Sequence, residues 1–173
     1  VFLTTDNGSN WTEVNNGLTS MDVRSFAVSG ASIFAGTWGG GVFLSTNNGT
    51  SWTAVNNGLT NTDVHALCVS GTNIFAGTNG GVFLSTNNGT SWTKVNNGLT
   101  YDIIWSLAVS GTNIFAGTDI GGVFLSTNNG TSWTEINNGL INTYIKSFAI
   151  SGTNLFAGTN GGVFLSTNNG TSW

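Results

Sequence analysis

The chain of 173 residues carries a net charge of −4, is 39% hydrophobic and only 6% charged, and holds 26 glycines but no proline. Its three basic residues, Arg24, Lys94 and Lys146, cannot form the cationic stripe that a phosphate backbone needs, which argues against nucleic acid as a partner. No run reaches the ~18 consecutive apolar residues of a membrane helix, so no membrane insertion is expected, and a single cysteine allows neither a disulfide framework nor a cysteine-based metal site.

The chain opens on VFLTTDNGSNW, with no initiator Met and no charged-then-apolar leader, as expected of a mature or excised segment. VFL then returns at Val42, Val82, Val123 and Val163, in steps of 41, 40, 41 and 40 residues. Residues 1–173 therefore read as one repeat array, with units starting at 1, 42, 82 and 123 and a partial unit over 163–173. In the second unit, a strand is predicted over 41–47 (GVFLSTN) and, after the tight Asn48-Gly49 turn, another over 51–55 (SWTAV). A longer connection, NNGLTNTD, leads to strands over 64–70 (VHALCVS) and 74–78 (IFAGT), joined by Gly71-Thr72-Asn73. Gly80-Gly81 links into the next unit. Cys68 occupies the column of Ala27, Ala108 and Ala149, the place of a small buried filler.

Helices are not expected, because every stretch of 10 or more residues contains a Gly, an Asn-Gly pair or a β-branched cluster. In SLAVS (106–110), Leu107 and Val109 form a bulky face opposite Ser106, Ala108 and Ser110, as sheets stacked between unlike neighbours require. The fold class is all-β: four-stranded units of about 40 residues suit the blades of a β-propeller, with a β-solenoid as the alternative.

The turn that follows each VFL has one pattern: Ser or Thr, any residue, Asp or Asn, any residue, Gly, any two residues, Trp. The copies are Thr4, Asp6, Gly8, Trp11; Ser45, Asn47, Gly49, Trp52; Ser85, Asn87, Gly89, Trp92; Ser126, Asn128, Gly130, Trp133; and Ser166, Asn168, Gly170, Trp173. Five copies in register resemble the Asp-box of the bacterial neuraminidase repeat family of β-propellers, although four carry Asn where the family usually has Asp. The resemblance implies a structural hairpin between the third and fourth strands of a blade. The side chains agree with it, since Gly supplies positive φ, the Asx oxygen holds backbone amides and Trp fills the gap beneath. The later copies lack the carboxylates of a calcium loop, and no metal or cofactor is expected. The Asn-Gly-Thr and Asn-Gly-Ser triplets also match a glycosylation acceptor, but the turn already demands them.

Enzymes of the resembled family hold substrate with three arginines and attack with a tyrosine paired to a glutamate. This chain has one arginine. Related glycosidases need only two carboxylates across a cleft. Asp22, Asp63, Asp102 and Asp119 lie in loops, which keeps a glycosidase fragment as an alternative. His65 stands alone among repeats that offer it no Ser or carboxylate relay. The expectation is a protein that is not an enzyme.

Comparing the units with one another separates scaffold from variable surface. The turns and FAGT barely change, whereas differences gather after NNGL and after FAGT. Arg24, His65, Trp105 and Lys146 share one column, Asp22, Asp63, Ile103 and Tyr144 a second, and Ser20, Asn61, Tyr101 and Asn142 a third. In a four-stranded meander these connections lie on one face, opposite the tight hairpins. Arg24, Trp38, Tyr101, Trp105, Asp119, Tyr144 and Lys146 form the candidate binding face for a glycan or protein ligand. The expected function is a non-catalytic binding or adhesion propeller of a secreted or surface protein, extracellular or at the cell surface. A purely structural or constructed idealised repeat is the alternative. Because the chain starts at a third strand and stops after another, it is expected to continue into a larger ring or to associate with a second copy.

Overall fold

The computed structural model describes residues 1–173 as seventeen β-strands without a helix. A short hairpin, β1 (Phe2–Leu3) and β2 (Thr12–Glu13), comes first. Three four-stranded antiparallel sheets follow. The first contains β3 (Val23–Ser29), β4 (Ser32–Thr37), β5 (Gly41–Ser45) and β6 (Thr53–Ala54). The second contains β7 (Val64–Ser70), β8 (Asn73–Thr78), β9 (Gly81–Ser85) and β10 (Thr93–Lys94). The third contains β11 (Ile104–Ser110), β12 (Asn113–Thr118), β13 (Val123–Ser126) and β14 (Thr134–Glu135). A three-stranded sheet ends the array, with β15 (Ile145–Ser151), β16 (Asn154–Thr159) and β17 (Gly162–Ser166). The sheets are thus offset from the sequence units: each begins at the strand after NNGL rather than at VFL.

Each sheet is an up-and-down meander, and its first strand packs beside the first strands of its neighbours, in the order β3, β7, β11, β15. The core lies between sheets rather than within one. Phe34 and Val42 of the first sheet meet Leu67, Ile74 and Phe83 of the second, and Phe75 and Val82 of the second meet Ile114 and Phe124 of the third. The bulky face of each first strand meets the preceding sheet and the small face the following one, so that Leu107 and Val109 pack towards Phe75 while Ala108 packs towards Ile145 and Leu155. Phe34, Phe43, Phe75, Phe83, Phe115 and Phe124 are fully buried, each contributing ~1.5–3 kcal/mol by leaving water. Desolvation pushes the Cys68 thiol up to about 12, so at neutral pH it is a filler rather than a nucleophile.

The fourth strand pairs over only two residues, shorter than the 51–55 expected from sequence. The reason lies in the turn before it. Trp52 donates its backbone N–H to the Asn16 carbonyl and its indole Nε1–H to the Val14 carbonyl (2.8 and 2.9 Å), so it is tied to the preceding repeat and not to its own sheet. Trp92, Trp133 and Trp173 repeat these bonds to Val55, Val95 and Ile136 at 2.7 Å. Within the turn, Asn48 takes φ 54° and Gly49 φ 82°, Ser45 Oγ accepts the Gly49 N–H, and Asn47 Oδ1 accepts the Ser51 N–H. Asn87, Asn128 and Asn168 do the same in their turns, and Asp6 Oδ1 accepts the Asn10 N–H in the first. Trp52, Trp92 and Trp133 are each 4% exposed. Trp11 departs from the expected plug: it is 60% exposed, because no preceding sheet supplies a carbonyl and a wall for it.

Candidate binding face

The variable column Arg24, His65, Trp105, Lys146 coincides with an irregularity of the backbone. In every sheet the pairing between first and second strands slips once, between Val23 and Ser25, Val64 and Ala66, Ile104 and Ser106, and Ile145 and Ser147. The residue skipped is the variable one. A bulge of this kind re-aims one side chain without disturbing the ladder beyond it, which explains why four unlike side chains fit a strand whose other positions change only conservatively.

Three of the four re-aimed side chains reach the link that follows their own second strand. The Arg24 guanidinium lies 4.8 Å from the Trp38 ring centroid, His65 Nε2 lies 2.8 Å from Asn79 Oδ1, and Trp105 Nε1 donates to Asp119 Oδ1 at 3.0 Å. Contacts also run from sheet to sheet. The His65 ring stands between Trp38 and Trp105, with centroids 5.3 and 4.2 Å away; within the last sheet, the Lys146 ammonium lies 4.6 Å from the Tyr144 ring. The Asp119 carboxylate beside the Tyr144 phenol raises the tyrosine's pKa above its ordinary value by favouring the protonated form. One row thus runs Arg24, Trp38, His65, Trp105, Asp119, Tyr144, Lys146.

The backbone beneath is stitched together. Gly41 donates to the Thr62 carbonyl and Gly122 to the Thr143 carbonyl, both at 2.9 Å, joining the first and third links to the connection of the next sheet. Asp63 accepts from the Gly39 N–H and from Asn79 Nδ2, both at 3.0 Å. Since Asn79 Nδ2 is committed to that carboxylate, its Oδ1 faces His65, and Nε2 is the donor. His65 is 6% exposed and its Nδ1 has no hydrogen-bond partner in the chain. Asp22 chelates Arg24 at 2.8 and 2.9 Å, which holds its carboxyl below the usual range and raises the guanidinium.

Six of the seven expected face residues, all but Tyr101, fall in this row. Tyr101 instead covers Gly121, where any Cβ would collide with its ring. His65, Asn79 and Asp63 were missing from the expected set. The signal for His65 was present, since it shares the variable column. Nothing in the sequence signalled that Asn79 and Asp63 would buttress it. No concave pocket indents the face.

Stacked four-stranded meanders packed side by side through their first strands define the class: the chain is built of β-propeller blades. It belongs to the DUF6242 beta propeller domain family, whose profile matches residues 1–97 and 45–142. Among solved structures it is similar to an ancestral GH74 enzyme (27% identity, TM-score 0.75), covering 94% of this chain and 25% of that one. It is also similar to YCF48 bound to D1 peptide (17%, TM-score 0.71, 99% and 60%) and to the computationally designed Ika4 protein (15%, TM-score 0.67, 87% and 92%). The chain thus spans a quarter of the length of the GH74 enzyme it matches. No curated protein matches it.

Proposed function

We propose that this is a non-catalytic binding propeller of a secreted or cell-surface protein, and that the row from Arg24 to Lys146 takes a polypeptide segment. The observation that carries the reading is the bulge column. The scaffold presents one re-aimed side chain per blade, and those side chains, together with the loops beside them, differ from blade to blade. A row selected only for stability has no use for His65, whose buried unpaired Nδ1 is a cost.

A polypeptide suits the geometry better than a glycan. Sugar recognition by stacking needs free aromatic faces, whereas Trp38, His65 and Trp105 lie against one another and Arg24 lies over Trp38. A flat, pocketless row of Trp, Tyr, Arg and carboxylates is the composition of a protein interface. The peptide-bound YCF48 structure offers a precedent for the fold, though not for these residues.

The carboxylates support the non-catalytic reading. All seven accept hydrogen bonds from the chain itself: Asp6 from Asn10, Glu13 from Asn15, Asp22 from Arg24, Asp63 from Asn79, Asp102 from Asn96, Asp119 from Trp105 and Glu135 from Asn137. None is held free across a cleft from another, as glycoside hydrolysis requires. The five turns, with Ser or Thr and Asx closing on backbone amides, also support their reading as structural Asp-boxes.

Parallel peptide and glycan arrays probed with the labelled chain test the proposal. Peptide hits that vanish in Trp105→Ala and persist in Thr112→Ala, on the opposite hairpin face, are expected. Glycan hits alone, or peptide binding indifferent to Trp105, would contradict it.

A further inference from the structure

Three loop positions beside the row break the repeat in one direction, from small and polar to large and apolar. Tyr101 stands where the other units have Ser20, Asn61 and Asn142, and Ile141 stands where they have Thr19, Thr60 and Thr100. Ile120 is an extra residue of the third link, which the second link, Asn79-Gly80-Gly81, does without. The fold does not need the insertion. Thr118 Oγ1 donates to the Gly122 carbonyl and accepts the Gly121 N–H, just as Thr78 Oγ1 donates to the Gly81 carbonyl and accepts the Gly80 N–H in the shorter link.

The backbone brings the three together. Tyr101 lies against Gly121, the neighbour of Ile120, and the Asp119 N–H donates to the Ile103 carbonyl at 3.1 Å. On the other side Gly122 is bonded to Thr143, two residues from Ile141. The link that carries Ile120 therefore runs between the connection that carries Tyr101 and the one that carries Ile141. Ile120 is 60% exposed, Ile141 is 89% exposed, and Tyr101 is exposed as well. Thr60 and Thr100, which have blades on both sides, are exposed too, so the exposure of Ile141 belongs to its column. Apolar side chains scattered singly on a surface need no account, but three gathered at one place by substitution and insertion mark a contact surface.

The charge around the patch selects what covers it. The connections and links of the second and third blades (55–63, 79–80, 95–103 and 119–122) hold Asp63, Asp102 and Asp119 and no Lys or Arg. Asp102, next to Tyr101, is exposed and engages only its Oδ1, with Asn96 Nδ2 at 3.1 Å. Lys146 of the following blade lies over the Tyr144 ring. We propose that Tyr101, Ile120 and Ile141 seat a large apolar side chain of a basic polypeptide segment, whose adjacent Lys or Arg pairs with Asp102. The proposal rests on the reading that the neighbouring row takes a polypeptide, and it names the kind of segment taken.

Random dodecapeptides displayed on phage and selected on the wild-type chain supply the probe. Selected sequences should place a large apolar residue beside Lys or Arg. A synthesised winner should bind at least ~10-fold more weakly to Ile120→Ser and to Ile141→Thr, the second of which installs the residue of the other three units. Thermal transitions check that both variants fold. Asp102→Asn, which keeps an acceptor for Asn96, should weaken binding about threefold and flatten its decline with salt. Winners without the basic and apolar pairing, or winners indifferent to both isoleucine variants, would overturn the proposal; if Trp105→Ala still abolishes their binding, the row keeps its peptide and only the patch is lost. An empty selection would overturn both readings. Self-association of the chain that Ile120→Ser abolishes in light scattering would assign the patch to a second copy and overturn the basic segment.

Discussion

The hairpin face and the bulge face are built from the same blades by opposite rules. On the hairpin face the sequence scarcely varies, and identical letters make identical bonds: Ser85, Asn87 and Trp92 repeat the partners of Ser45, Asn47 and Trp52 one blade further on. On the bulge face the backbone bonds recur but the contacts of the re-aimed side chains do not: an arginine over an indole, an imidazole on an amide, an indole on a carboxylate. The repeated face fixes one blade on the next. The varied face is thereby free to change without loss of the fold, which is why it is the surface to examine for function.

The sharpest break between the two rules comes from the turn tryptophans. Trp92→Ala removes a buried aromatic and its bond to Val55, and should lower unfolding stability by ~3–5 kcal/mol in denaturant titration. Trp11→Ala, the same letter without a preceding blade, should change it by no more than ~0.5 kcal/mol. Equal effects would mean that the repeat, and not the neighbouring blade, determines what the turn contributes.

His65→Ala should cost less than Trp92→Ala, ~1–3 kcal/mol in the same titration, since it removes a hydrogen bond to Asn79 and the ring between Trp38 and Trp105. A smaller change comes from Asp119→Asn, which keeps an acceptor for Trp105 but withdraws the carboxylate from Tyr144. Ultraviolet titration of the phenol should then show Tyr144 ionising at lower pH than in the wild-type chain. An unchanged titration would remove the Asp119–Tyr144 link from the row.

The smallest effect distinguishes the first turn from its copies. Hydrogen bonds from the Asn10 side chain and backbone, and then from Thr4, hold Asp6 below its ordinary 3.8. A depressed carboxylate stabilises the fold above its unfolded pKa, and that contribution is lost as pH falls through the lower folded value. Exchange of the Asn10 amide should therefore quicken with acid relative to the Ser51, Ser91, Ser132 and Ser172 amides, whose acceptors are Asn oxygens and do not titrate. Uniform behaviour of all five turns would contradict the assignment.

Much of the fold could be read in the letters because each strand carries its own instructions. The strand over 64–70 was legible to the residue, since VHALCVS is bounded by a connection and a Gly-Thr turn. The fourth strand was overestimated because SWTAV looks like one strand, while its tryptophan belongs to the neighbouring blade. The candidate binding face was legible only as columns. That Arg24, His65, Trp105 and Lys146 vary can be seen by aligning units. That each is a bulge, and that Trp38 of one blade reaches His65 of the next, depends on the slip in pairing and the stacking of blades, neither of which leaves a local signature. That Tyr101 lies against Gly121, outside the row, could not be seen from its place in a variable loop.

The central claim is that the varied row, and not the repeated face, contacts a partner. The direct test is an isotherm for a peptide selected on the wild-type chain, measured against Trp105→Ala and Thr112→Ala with folding verified for each. The account predicts that Trp105→Ala loses at least ~2 kcal/mol of affinity, about 30-fold, while Thr112→Ala binds as the wild type. Equal affinity for all three chains, or a loss confined to Thr112→Ala, would contradict it.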